Sequence, residues 1–156
     1  MGSGYTIKLI DAAGLGEAAC LLRDVFIEFV APDCSAHGVE KYKTFIDLEN
    51  LSGKLNRSEL IFWGAYDRRG TLIGVIAGQP PGHIKYLFVK KCHHRQGVAR
   101  ALLNILQRHY HALGGCALTV NSSPYALEVY KKMGFRETGP EKIVDGIRFI
   151  PMKADI

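Results

Sequence analysis

The stretch Leu87-Phe88-Val89-Lys90-Lys91-Cys92-His93-His94-Arg95-Gln96-Gly97-Val98-Ala99-Arg100-Ala101-Leu102-Leu103 carries the clearest chemical signal in the chain. An apolar, strand-like run enters a basic loop, and the loop enters a helix pattern. At a helix N-terminus the first N–H groups have no intrahelical acceptor and the dipole is positive, so backbone alone can hold an anion. Gly97 permits close approach of a ligand, and Ala99 keeps the next approach point small. Lys90, Lys91, Arg95 and Arg100 add positive charge, and the whole suits a pyrophosphate. Taken alone, the stretch fits a strand-to-helix turn with a solvated basic face equally well.

The remaining reactive side chains give weaker patterns. Cys34-x-x-His37 and Cys92-His93-His94 are loose clusters without regular ligand spacing, so no metal is expected. Cys20, Cys34, Cys92 and Cys116 show no paired spacing, which suits a reduced, cytoplasmic compartment. Tyr130 lies on the apolar stripe of a helix pattern, where it reads either as a core residue or as a functional one. Glu28 shares a polar helix face with Asp24, the ordinary position of a solvated carboxylate. Trp63, Phe26, Phe29 and Phe45 read as core or pocket-wall aromatics.

These residues must be positioned by one domain. The chain has 156 residues, with 20 Lys and Arg against 15 Asp and Glu for a charge of +5, and 47% hydrophobic residues. A domain of this size buries roughly 70% of its unfolded surface and needs neither disulfide nor metal to fold. No apolar run approaches the ~20 residues of a membrane span. The basic surplus is mild and not gathered into runs, so it favours an anionic small ligand at least as much as nucleic acid. Residues 1–4 read as a flexible arm or an expression remnant, and residues 5–156 as a single domain.

Periodicity supplies the elements. Tyr5 to Leu9 alternates as an edge strand, and Asp11 stands at a helix cap. Helical spacing predicts one long helix from Leu15 to Ala31-Pro32, then one or two short helices between Val39 and Leu55. Strands over 60–66 and 71–77 flank the turn sequence Asp67-Arg68-Arg69-Gly70, and a third runs from Ile84 to Val89. Gly97 opens a helix that Gly114-Gly115 stops, followed by a strand from Cys116 to Val120. Pro124 suits the first turn of another helix carrying Ala126, Val129, Tyr130 and Met133. A final hairpin pairs Phe135–Val144 with Ile147–Lys153 around Asp145-Gly146. The order predicts an α/β (mixed α+β) domain, with a mostly antiparallel sheet of about seven strands and about four helices.

Over roughly residues 60–153 this arrangement resembles the GNAT (GCN5-related) superfamily of N-acetyltransferases. The family's Gln/Arg-x-x-Gly-x-Gly/Ala loop aligns with His94-Arg95-Gln96-Gly97-Val98-Ala99, with His94 at the position of Gln or Arg. Its Asn-x-x-Ala-x-x-x-Tyr pattern becomes Ser123-x-x-Ala126-x-x-x-Tyr130, with Asn121 nearby. The resemblance implies acetyl-CoA as cosubstrate. Pantetheine would insert beside the backbone of Leu87, Phe88 and Val89, and residues 94–100, including Arg100, would surround the pyrophosphate. Asn121, Ser123 and Tyr130 complete the implied cofactor site.

The implied reaction is direct transfer of an acetyl group to a small-molecule or peptide amine. Tyr130 is the expected proton donor to the thiolate and His83 the expected general base, with Glu28 or an ordered water as alternatives. Uniform strand alternation would put His83, Lys85, Leu87 and Val89 on one face. A non-catalytic CoA-sensing module and an acetyltransferase of protein or RNA amines stay open on the same fold, as does a homodimer.

Overall fold

β1 (Tyr5–Leu9) forms one edge of a sheet, paired antiparallel with β2 (Ile61–Asp67). The computed structural model describes residues 4–156; apart from Gly4, the expected N-terminal arm lies outside the described residues. After β1, the Asp11 carboxylate accepts from the Gly14 N–H at 3.1 Å and caps a single tight turn into α1 (Leu15–Val25).

The long helix expected to run to Ala31 instead ends at Val25 and widens into a π turn over Phe26–Val30. The Ala31 N–H donates to the Phe26 carbonyl to close it. Apolar spacings of three and four fit both helix forms, so the pattern does not register the extra residue. Phe26 is buried, while the ring of Phe29 meets those of His94 and Tyr125.

α2 (Ala36–Phe45) and α3 (Leu48–Asn56) follow, capped by the side chains of Ser35 and Asp47. β2, β3 (Leu72–Gln79) and β4 (His83–Val89) form the expected antiparallel meander. Every residue of β3 except Gln79 is buried, because helices cover both sheet faces. Leu22, Phe26, Leu51, Phe62 and Val75 build the core under α1 and α3. Ile76, Leu102, Leu106 and Leu118 build the other, against α4 (Val98–Ala112).

The C-terminal part contains β5 (Ala117–Ser122), α5 (Leu127–Lys132), β6 (Arg136–Glu137), β7 (Lys142–Val144) and β8 (Ile147–Asp155). Pro124 sits in the turn before α5 rather than in its first turn. The single strand expected over 135–144 is two short ones, β6 and β7, both paired with β8. Pro140 lies between them and has no N–H to give a ladder. The sheet order is β1-β2-β3-β4-β5-β8-β6 with β7 beside β8, giving eight strands among the described residues. That split supplies the strand beyond the seven expected, and separate α2 and α3 make five α-helices among the same residues.

Candidate active site

β5 runs parallel to β4 but pairs with it only at His83↔Thr119 and Ile84↔Val120, whereas β5 pairs with β8 from Ala117↔Asp155 to Ser122↔Ile150. Beyond Ile84 the two parallel strands diverge, and the sheet opens along residues 85–89. Two cavities meet at this opening. One, of about 430 Å³, lies toward the basic loop; the other, of about 350 Å³, lies toward the β7–β8 hairpin. Val30, Leu87, Phe88, Ser123, Ala126 and Tyr130 belong to the walls of both.

The loop-side cavity is bounded by the start of α4. Arg95 (φ 60) and Gly97 (φ 80) both adopt left-handed backbone, and no side chain caps the helix. A Cβ on Gly97 would meet nothing closer than the Tyr5 hydroxyl at 3.7 Å, so the approach to the helix end is open. Tyr5 donates to the Gly97 carbonyl at 3.2 Å and ties β1 to this turn. Arg95, Arg100 and Lys132 line the cavity together with His93 and His94, and no carboxylate is among its lining residues. Arg100 also donates to the Lys132 carbonyl at 3.2 Å, joining α4 to the end of α5. Positive side chains and the helix dipole therefore act in the same direction, which favours an anion.

The sequence-predicted loop residues do not all converge. Gly97, Val98, Ala99, Arg95, Arg100 and His94 line the cavity with Leu87, Phe88 and Val89. The Gln96 side chain is exposed and turns back to donate to the Cys92 carbonyl at 3.4 Å. Asn121 lines the hairpin-side cavity instead. Ser123 accepts the Ala126 N–H through its hydroxyl at 3.2 Å, so it orders the turn before α5. Phe29 takes the pocket-wall place open to it from the sequence, whereas Val129 and Lys132 are additions to the sequence candidates. Val129 holds a position on the apolar stripe yet is 47% exposed, because its side faces the cavity rather than the core.

Tyr130 is 6% exposed, packs edge-on against Phe135 and stands between the two cavities. Burial pushes its phenol well up, keeping it protonated at neutral pH. A protonated hydroxyl on both walls can give a proton to a group passing between them. Glu28 reaches neither wall; it pairs with Lys91 at 3.6 Å on the exterior. Trp63 packs against His109 on the opposite sheet face.

His83 lies in the hairpin-side cavity, its Nδ1 2.9 Å from the Thr119 hydroxyl. Uniform alternation along β4 fails here. The register skips from Gly78↔Ile84 to Ala77↔Tyr86, leaving Lys85 as the extra residue of a bulge. Ile84, Leu87 and Val89 pack toward α4, whereas Tyr86 and Phe88 pack toward α1. His83, next to Ile84, therefore shares the face of Tyr86 and Phe88 rather than that of Leu87 and Val89. Burial first, and then the Lys85 ammonium, hold its imidazole below the usual range. Tyr42, Phe45 and Phe149 form aromatic wall, and Arg148 and Asp145 come from the hairpin. Arg148 is held by Asp33 at 3.4 Å and Glu141 at 3.0 Å.

Residues 30–156 match the family described as "Acetyltransferase (GNAT) domain", and the chain belongs to that family. Its class of chemistry is acetyl transfer from acetyl-CoA. Among solved structures, the chain is similar to a GCN5-related N-acetyltransferase from Rhodopseudomonas palustris, with 20% identity, 100% of this chain and 98% of that one covered, and a TM-score of 0.84. It is also similar to the PaiA N-acetyltransferase from Thermoplasma acidophilum in complex with coenzyme A, at 20% identity, full coverage of both chains and a TM-score of 0.80. The ribosomal-protein-S18-alanine N-acetyltransferase from Escherichia coli shares 18% identity over 97% of this chain and 94% of its own, with a TM-score of 0.69. No curated protein matches the chain in sequence. The solved structures agree on the fold, including the mixed sheet and its flanking helices.

Proposed function

We propose that the chain transfers the acetyl group of acetyl-CoA to the amine of a small molecule or peptide by direct attack in a ternary complex. The observation that carries this reading is the opening between β4 and β5, which joins an acid-free, cation-lined cavity to a second cavity with Tyr130 on both walls. Backbone N–H groups at the start of α4, with Arg95 and Arg100, would hold the pyrophosphate, and the Leu87–Val89 edge would align pantetheine. The acceptor then enters from the hairpin side, past His83. Four free cysteines fit a reducing, cytoplasmic setting.

The chemistry follows from the acceptor. An alkylammonium with a pKa of about 10.4 is almost wholly protonated at pH 7, so it must lose a proton before it attacks. In this reading His83, directly or through water, takes it. The amine nitrogen bonds to the thioester carbon and the carbonyl electrons move to oxygen, where a strand N–H near Leu87 or Phe88 stabilises the charge. Collapse breaks the carbon–sulfur bond, the pair leaves on sulfur and Tyr130 supplies its proton, while the second proton of the former ammonium leaves the nitrogen to water and Tyr130 is reprotonated from solvent.

The test follows thiol release from acetyl-CoA against amines, peptides and tRNA, with CoA affinity measured by calorimetry for wild type and Gly97→Glu. Amine-dependent thiol release is expected, with CoA binding weakened at least about tenfold in the folded variant. Unchanged affinity overturns the loop assignment. CoA binding without thiol release from any acceptor overturns catalysis in favour of a binding module.

A further inference from the structure

The bulge in β4 also places a cation where the acceptor would sit. Lys85, the extra residue, is half-buried and lines the hairpin-side cavity, with its ammonium 6.0 Å from the centre of the Phe45 ring on α2. None of the ion pairs among the described residues includes it. No carboxylate among the described residues lies within ion-pairing distance of it. Lys54 on α3 repels it, and Arg148 is neutralised by Asp33 and Glu141. The carboxylate lining this cavity, Asp145, is exposed in the hairpin turn and does not pair with it.

A partly desolvated ammonium without a counter-charge is a standing cost to the folded protein, and an incoming anion relieves it. Lys85 stands two to three residues before the Leu87–Phe88 edge, roughly 7–10 Å along the strand. Its flexible stem can bring the charge nearer. The aromatic wall of Tyr42, Phe45 and Phe149 suits an apolar stem between the two ends of a ligand.

We infer that Lys85 is a specificity-determining residue of the acceptor cavity, and that the acceptor is an amine that also carries an anionic group, carboxylate or phosphate, held against the Lys85 ammonium. This rests on the acetyl-transfer reading above, which it narrows from amines in general to amines bearing an acid.

The experiment compares matched acceptors by thiol release: butylamine with 4-aminobutyrate, hexylamine with 6-aminohexanoate, phenethylamine with phenylalanine, and ethanolamine with O-phosphoethanolamine. In wild type at least one anionic member should exceed its neutral partner in kcat/KM by about tenfold or more, carried in KM. Which pair does so separates carboxylate from phosphate and sets the spacing. Lys85→Gln should bring that ratio close to one, and Lys85→Glu should invert it. Ratios near one for every pair in wild type, or a preference that survives Lys85→Gln in a variant with normal melting, overturn the inference.

Absence of thiol release with every amine would fail the acetyl-transfer reading instead. Calorimetry with 3-phenylpropionate and 3-phenylpropanol in the presence of CoA then decides the inference. Selective binding of the carboxylate that Lys85→Gln abolishes supports it; equal binding of the two, or selectivity retained in the variant, overturns it.

Discussion

The Nε2 of His94 lies 2.7 Å from the carbonyl oxygen of Val89, so the basic loop is fastened to the last residue of the strand from which it leaves. The ring also packs on Phe29 at 5.2 Å, which brings the π turn into the same clasp. Donation to a carbonyl places a proton on Nε2. His94→Ala should release the loop and weaken CoA binding about 3–10-fold, the effect of one hydrogen bond. His94→Gln, which keeps an N–H donor, should recover part of that loss. Calorimetry on the two variants checks both expectations.

Tyr130 is well placed to donate a proton because burial keeps its phenol protonated and both cavities reach it. Tyr130→Phe removes only the hydroxyl. Turnover should fall about 10²–10⁴-fold if proton donation to the thiolate limits the rate, with CoA affinity retained. A purely packing tyrosine would give normal turnover, and a melting curve measured beside the rate separates the two roles.

The proposed base role of His83 carries a pH dependence. Its neutral form would accept the proton, and burial together with Lys85 holds its titration below the ordinary 6.5. Activity should therefore fall only as pH drops below that value, where the imidazole gains its proton. His83→Gln should lower kcat/KM and remove this acidic limb while leaving CoA affinity intact. A profile in the variant that matches wild type in rate and shape rules His83 out as base.

The hairpin is seated on α2 by close backbone contact. The Ser35 N–H donates to the Gly146 carbonyl at 2.9 Å, and a Cβ on Gly38 would collide with that same carbonyl. Gly38→Ala must displace the turn and should destabilise the fold by about 1–3 kcal/mol. Because Asp145 and Arg148 line the hairpin-side cavity, KM for the acceptor should rise more than KM for acetyl-CoA. Urea melts and the two KM values test this.

What could be read from residues alone divides by the range of the interactions involved. The edge strand, the meander, the α4 start at Gly97 and the β5 strand follow from local periodicity and turn residues. The π turn does not, since Phe26, Phe29 and Val30 keep a helical rhythm whether or not one residue is inserted. The bulge at Lys85 depends on β3 offering one residue against two, which the alternation of His83 to Val89 does not reveal. Arg148 and Asp33 are 115 positions apart, and nothing local links them. Thus the loop side of the site was largely legible, while the hairpin side, assembled from α2, a bulge and a distant turn, was not.

The short β4–β5 ladder has a mechanical consequence. Two paired positions are all that stitch the strands β1–β4 to the strands β5–β8 through the sheet itself, so the sheet is two plates sharing one short seam at His83 and Ile84. Side-chain packing and the α4–α5 tie through Arg100 carry the rest of the join. A molecule lying across the gap grips both plates at once and works as a staple. Its binding should slow amide exchange in β5 and β8 on one side of the gap as well as in β4 on the other, and raise the temperature at which the plates part.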